Sequence, residues 1–169
     1  MSSTAHPGIA LFLREVLAGE VDLERELHKV AERHRTDHEV RHVAVDLARW
    51  SLENRRALVA LADRYGDDLR DDTDPQGPAR PMSDLRETTA EPLGRWPEPA
   101  LLLLFDLRHL YLLASGNSSY WTALAQAVQA ARDPELLAVV TACHGRTMRQ
   151  AVWCNATIKA LSPQLLTSL

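Results

Sequence analysis

The feature that most constrains this chain is a stripe that runs unbroken for seven helical turns. Ile9, Leu13, Val16, Glu20, Leu23, Leu27, Val30 and His34 recur at steps of three and four residues. That is the spacing of one helix face, and it leaves no room for a strand. A second stripe of the same kind follows: Val40, Val43, Leu47, Trp50, Asn54, Leu58, Leu61. Between the two, "TDHE" offers a capping box, with Thr36 accepting from the backbone and Glu39 reaching back. The second helix should stop near Tyr65-Gly66, where glycine takes the left-handed end position.

Residues 67–97 change character. They are rich in Pro and Asp and carry no sustained period, apart from a short helical piece expected near 83–88. Periodicity resumes at Pro99 with Leu103, Leu107 or Phe105, Leu110, Leu113, Asn117, Tyr120, Leu124 and Ala127. "RDPEL" then makes a sharp turn, with Asp133 as N-cap and Pro134 at the first helical position. The last stripe is Leu136, Val140, Cys143, Thr147, Gln150, Cys154 and Ile158 or Leu161, with Ser162-Pro163 read as the stop. The expected helices span about 9–35, 37–65, 99–131 and 134–161, in one domain over 1–169.

The two halves form a weak repeat. Leu13, Val16, Glu20, Leu23 and Leu27 parallel Leu110, Leu113, Asn117, Tyr120 and Leu124, while Ser51 and Asn54 parallel Thr147 and Gln150. Two helical hairpins joined by a long crossover at 66–98 make an all-α, antiparallel four-helix bundle of the ferritin-like topology.

The bulk numbers narrow function by exclusion. The net charge is -4 and the basic residues are scattered, so no nucleic-acid stripe is expected. The longest apolar run, at 100–105, is too short to cross a bilayer. The first eight residues have no cationic segment leading into an apolar run, so a secretory leader is not expected. Cys143 and Cys154 on one helix would stand about 17 Å apart, too far to bridge. A reducing cytoplasm fits these two thiols best.

Bundles with a dinuclear metal centre take a Glu from each of two helices and Glu-x-x-His from each of the other two. Here the corresponding central positions are Glu20, Asn117, the pair Ser51 and Asn54, and the pair Thr147 and Gln150. The spacing is right and the chemistry is wrong, because one carboxylate cannot neutralise two divalent ions. These six residues are therefore expected to form a buried hydrogen-bond network that fixes helix pairing, with no cofactor. The alternative is an iron or manganese site using Glu20, Glu24, Glu53 and His144.

Other candidates stand apart from the centre. "HEVRH" places His38 and His42 on one helix face with His34 a turn earlier, an end-of-hairpin cluster suited to zinc, nickel or copper. Asp106-x-x-His109 reads as a surface or intersubunit hydrogen bond. His144 is the best single acid or base, and would be the catalytic residue if the bundle holds a small-molecule pocket. Cys143 and His144 are not a dyad, since adjacent helical residues point apart. Trp50, Trp121 and Trp153 sit at positions suited to packing.

The segments "LREVLAGEVDLERELHKVAERH" and "FDLRHLYLLASGNSSYWTALAQAVQAARDPELLAVVTACHGRTMRQ" resemble the bacterial ferritin-like proteins, closest to the YciF-type stress-associated group. The likeness rests on "DLRHLY", "ARDPEL" and "CH..T..Q" and covers most of the chain outside 67–97. It implies an antiparallel bundle, a homodimer and, in some members, iron between the helices. The chain departs from that pattern at Ser51, Asn54, Asn117, Thr147 and Gln150. Together these readings give a cytoplasmic, ferritin-like homo-oligomer lacking a working di-iron centre, which binds a protein or small-molecule partner and neither nucleic acid nor membrane.

Overall fold

A computed structural model describes residues 6–62, 65 and 99–167, and every extended element among them is helical. The four helices are α1 (Pro7–Arg33), α2 (His38–Ala62), α3 (Pro99–Ala130) and α4 (Pro134–Thr167). The expected crossover at 66–98, with its piece near 83–88, lies outside the described residues. No helix among the described residues is long and apolar enough to cross a membrane.

Helix ends follow local chemistry, with two departures from expectation. Asp37, not Thr36, caps α2: its carboxylate accepts from the Val40 amide at 3.1 Å. The chain turns one residue later than the Thr36–Glu39 box requires, because the Asp37 amide closes onto the His34 carbonyl at 2.9 Å. The α3–α4 turn forms as read: Asp133 accepts from the Leu136 amide at 2.9 Å, and Pro134 opens α4. α4 then runs through Pro163 to Thr167, past the expected stop. A proline here removes only the amide that would meet the Lys159 carbonyl. Lys159 is exposed, so water can serve that carbonyl, and the Ser162 hydroxyl bonds the Ile158 carbonyl at 2.6 Å.

α1 packs against α2 and α3, and α4 packs against α3 and α2. The order of contact is informative. Along α1 and α3, Phe12 meets Tyr120, Glu20 meets Asn117, and Arg33 meets Asp106. Along α2 and α4, Ser51 meets Gln150 and Asn54 meets Thr147. The pairing of Ser51 with Gln150 and of Asn54 with Thr147 is the exchange that a two-fold axis between the repeated halves produces.

Two apolar cores result. Leu13, Val16, Leu58, Trp121, Leu124 and Val140 fill one end. Leu27, Val30, Leu47, Leu107, Leu110 and Cys154 fill the other. The buried faces of α1 and α4 are those expected. On α3 the face is rotated: Ala114, Trp121 and Val128 are buried, while Tyr120 and Ala127 are exposed and Leu113 is half-buried. In every helix the polar residues at the repeat positions fall between the two cores, and that layer is the candidate site.

Candidate functional site

Glu20 is the centre of the polar layer, and its side chain is fully buried. Its Oε1 accepts from Asn117 Nδ2 at 2.9 Å, Trp121 Nε1 at 2.9 Å and the Thr147 hydroxyl at 2.7 Å. Around it, Gln150 Nε2 donates to the Leu47 carbonyl and to the Ser51 hydroxyl, both at 2.9 Å. Asn54 Nδ2 reaches the Cys143 carbonyl and Thr147 Oγ1 at 3.4 and 3.5 Å. The six residues singled out for a central network are thus brought together, each buried.

The layer is held by tight backbone approach as well as by hydrogen bonds. A Cβ on Gly19 would stand 2.2 Å from Asn117 Oδ1 and 2.4 Å from its Cγ. Only glycine lets α3 come close enough for the Asn117 amide to reach Glu20.

Burial raises the Glu20 pKa above its ordinary value, against the lowering effect of the hydrogen bonds from Thr147 and Trp121. The physical cause is desolvation, which disfavours the charged carboxylate. Three acceptor atoms of the layer, Glu20 Oε2, Asn117 Oδ1 and Gln150 Oε1, have no hydrogen-bond donor among the described residues. A carboxylic acid at Glu20 adds one O–H donor to this acceptor-rich set.

The alternative metal set is not gathered. Glu24, one turn along α1 from Glu20, is buried against Arg55 in an ion pair. Glu53 lies half-exposed beside Arg146, at 3.6 Å, and Arg146 also donates to Asn54 Oδ1 at 3.1 Å. His144 faces α3, where its Nε2 lies 2.8 Å from the Ser118 hydroxyl. Among the described residues no three His, Cys, Asp or Glu side chains group closely enough to hold a metal ion. The residues of the central layer do not fit a dinuclear centre: hydroxyls and neutral amides stand where several carboxylates and imidazoles are needed.

The end-of-hairpin histidines separate too. His34 is buried and its Nε2 lies 2.8 Å from Asp106 Oδ2, so it faces α3 and leaves His38 and His42 as an exposed pair. Asp106 corrects the surface reading: it is fully buried, and Arg33 Nη1 grips both its oxygens at 2.7 and 2.8 Å. A closer look at spacing finds it, because Leu103, Asp106 and Leu110 share the buried stripe. Trp121 was read as packing alone, and its indole N–H is a member of the network. Arg55 and Ser118 carried no sequence signal, since only the helix pairing brings them to Glu24 and His144.

His144 is half-buried, and desolvation lowers its pKa. Its neutral form, which can accept a proton, is thereby favoured. Comparison of the chain with family models, with curated proteins and with solved structures gave no match.

Proposed function

We propose that this chain is a ferritin-like, antiparallel four-helix bundle, related to the YciF-type stress-associated proteins, in which a neutral hydrogen-bond network replaces the di-iron centre. It works in the cytoplasm by binding or assembly, as a homodimer. The observation that carries this reading is Glu20, the single acid of the central layer, served by neutral donors from α3 and α4. The opposed order of contacts along α1 and α3, and along α2 and α4, supports the topology, since it leaves α2 and α3 pointing the same way and in need of an end-to-end connection. Phe105 and Leu112 on α3 and Met148 and Val152 on α4 are exposed apolar side chains that a second copy would cover.

Elemental analysis of protein purified without a tag tests the centre. The expected result is no stoichiometric iron or manganese; metal that disappears on Glu20→Ala overturns the reading. Light scattering tests assembly: a strict monomer at high concentration removes the dimer.

A second reading is favoured by one contact. The neutral His144 imidazole beside the Ser118 hydroxyl is a base next to a potential nucleophile, on the accessible α3–α4 seam. On this reading the chain is a small-molecule enzyme. Retention of a bound organic molecule in native mass spectrometry, lost on His144→Gln, is the result that selects it.

A further inference from the structure

His38 and His42 belong to none of the chemistry above. They lie in the first turns of α2, and both are exposed. Their rings face each other almost in parallel, 20° between planes, with centroids 6.5 Å apart. Among the described residues neither imidazole has a hydrogen-bond partner, so their ring nitrogens face water.

That separation lies just above the range that a shared metal ion requires. An ion bound by an imidazole nitrogen at about 2.0–2.1 Å lies roughly 3.2 Å from the ring centre. Two rings on one ion therefore have centres about 4.5 Å apart at a right angle at the metal and about 6.4 Å apart when it is straight. Both side chains are exposed, and rotation about their χ angles turns a nitrogen of each ring toward one ion without any change in the helix, because residues four apart already share a face.

The neighbours decide which ion. Asp46 continues the same face one turn on, and its carboxylate is engaged by Arg49 at 2.8 Å. No third His, Cys, Asp or Glu among the described residues joins the pair. The site is then two nitrogens completed by water. Structural zinc asks for four protein ligands, whereas copper(II) accepts tetragonal nitrogen and oxygen sets and stands highest in the divalent affinity order. We propose that His38 and His42 chelate one copper(II) ion on the outside of α2, independently of the central layer and of the function proposed for it.

The test is titration of the full, untagged chain with copper(II) chloride, followed by calorimetry and by the nitrogen pattern of the copper resonance spectrum. One equivalent with two coordinating nitrogens is expected. His38→Gln and His42→Gln should each weaken binding at least tenfold, while His28→Gln, at an exposed histidine of α1, should leave it unchanged. Both substituted side chains are exposed, so the fold should survive, which far-ultraviolet circular dichroism checks. Copper should also raise the Tm of the parent and not of the double variant, because the ion binds the folded helix alone. Absence of stoichiometric copper in the parent overturns the proposal. So does parent-like affinity in either substituted chain.

Discussion

Glu20 and Asp106 are both acids with fully buried side chains, and each ties two or more helices together. They differ in what faces them. Asp106 receives a guanidinium and an imidazole, from Arg33 and His34 at the end of α1. Glu20 receives an amide, an indole and a hydroxyl, none of them cationic. A buried acid with a cation beside it is kept as an anion, whereas one among neutral donors is pushed towards its protonated form. The contact at Asp106 therefore favours a charged carboxylate, and the layer around Glu20 disfavours one.

The largest effect should come from the ion-paired layer. Asp106→Ala leaves Arg33 and His34 facing a buried vacancy, and loss of one partner of a buried pair costs about 3–5 kcal/mol. Arg33 is 38% exposed and can swing to water, so the lower end, about 3 kcal/mol, is expected in urea unfolding. Glu20→Gln should cost less than about 1 kcal/mol, since the amide oxygen still accepts and no cation is stranded. Equal costs for Glu20→Gln and Asp106→Asn would erase the distinction between the layers.

Stability against pH sharpens it. The Glu20 pKa is raised in the folded chain above the usual 4.5. The folded state then binds more protons than the unfolded one between the two pKa values. The contribution is complete below the unfolded value and is lost as pH rises through the folded one, at up to about 1.4 kcal/mol per pH unit. Stability of the parent relative to Glu20→Gln should therefore fall as pH rises from 4.5 towards the raised value. A flat difference over that range would mean that burial does not raise the Glu20 pKa.

Gly19→Ala probes the same layer by shape. Alanine gains up to about 1 kcal/mol of helix propensity, and a 2.2 Å approach to Asn117 Oδ1 costs about 1–3 kcal/mol by overpacking. A net loss of about 1 kcal/mol is expected. Asn117→Ala in the same chain should restore most of it, because the three atoms nearest to the added Cβ all belong to that side chain. No coupling between the two substitutions would mean that α3 shifts bodily and that Gly19 does not set its approach.

What the sequence made legible follows the contrast along each helix. α1 alternates apolar and charged faces sharply, and its whole buried stripe could be read, Glu20 included. α3 carries large apolar residues outside as well as inside, such as Phe105 and Leu112. Its phase past Leu110 is therefore ambiguous, and the spacing admits Tyr120 as readily as Trp121 on the inner face. The polar layer was found because the repeat fixed its positions, not because of its chemistry. Arg55 against Glu24 and Ser118 against His144 depend on helix pairing, which no spacing within one helix encodes. The Asp-x-x-His pattern at Asp106 suggests a surface pair, whereas the stripe that Asp106 shares with Leu103 and Leu110 faces inward.

The two cysteines report the layers separately, with the smallest expected effect. Cys143 belongs to the central region and its thiol is pushed up to about 11, by desolvation first and by Glu20 second. Cys154 packs among the apolar residues beside the Asp106 layer, and desolvation pushes it to about 12. Both should resist alkylation in the native chain at pH 8, where only the thiolate reacts. Where Glu20 is ionised its charge opposes the Cys143 thiolate, so Glu20→Gln should make Cys143 react faster by less than about tenfold, a shift of under one pH unit, and by nothing at a pH where Glu20 is protonated. Cys154 should keep its rate, and should gain only when Asp106→Ala loosens its own end. A rise at both thiols in Glu20→Gln would show that the layers open together, so that the separation drawn from their partners would not extend to their stability.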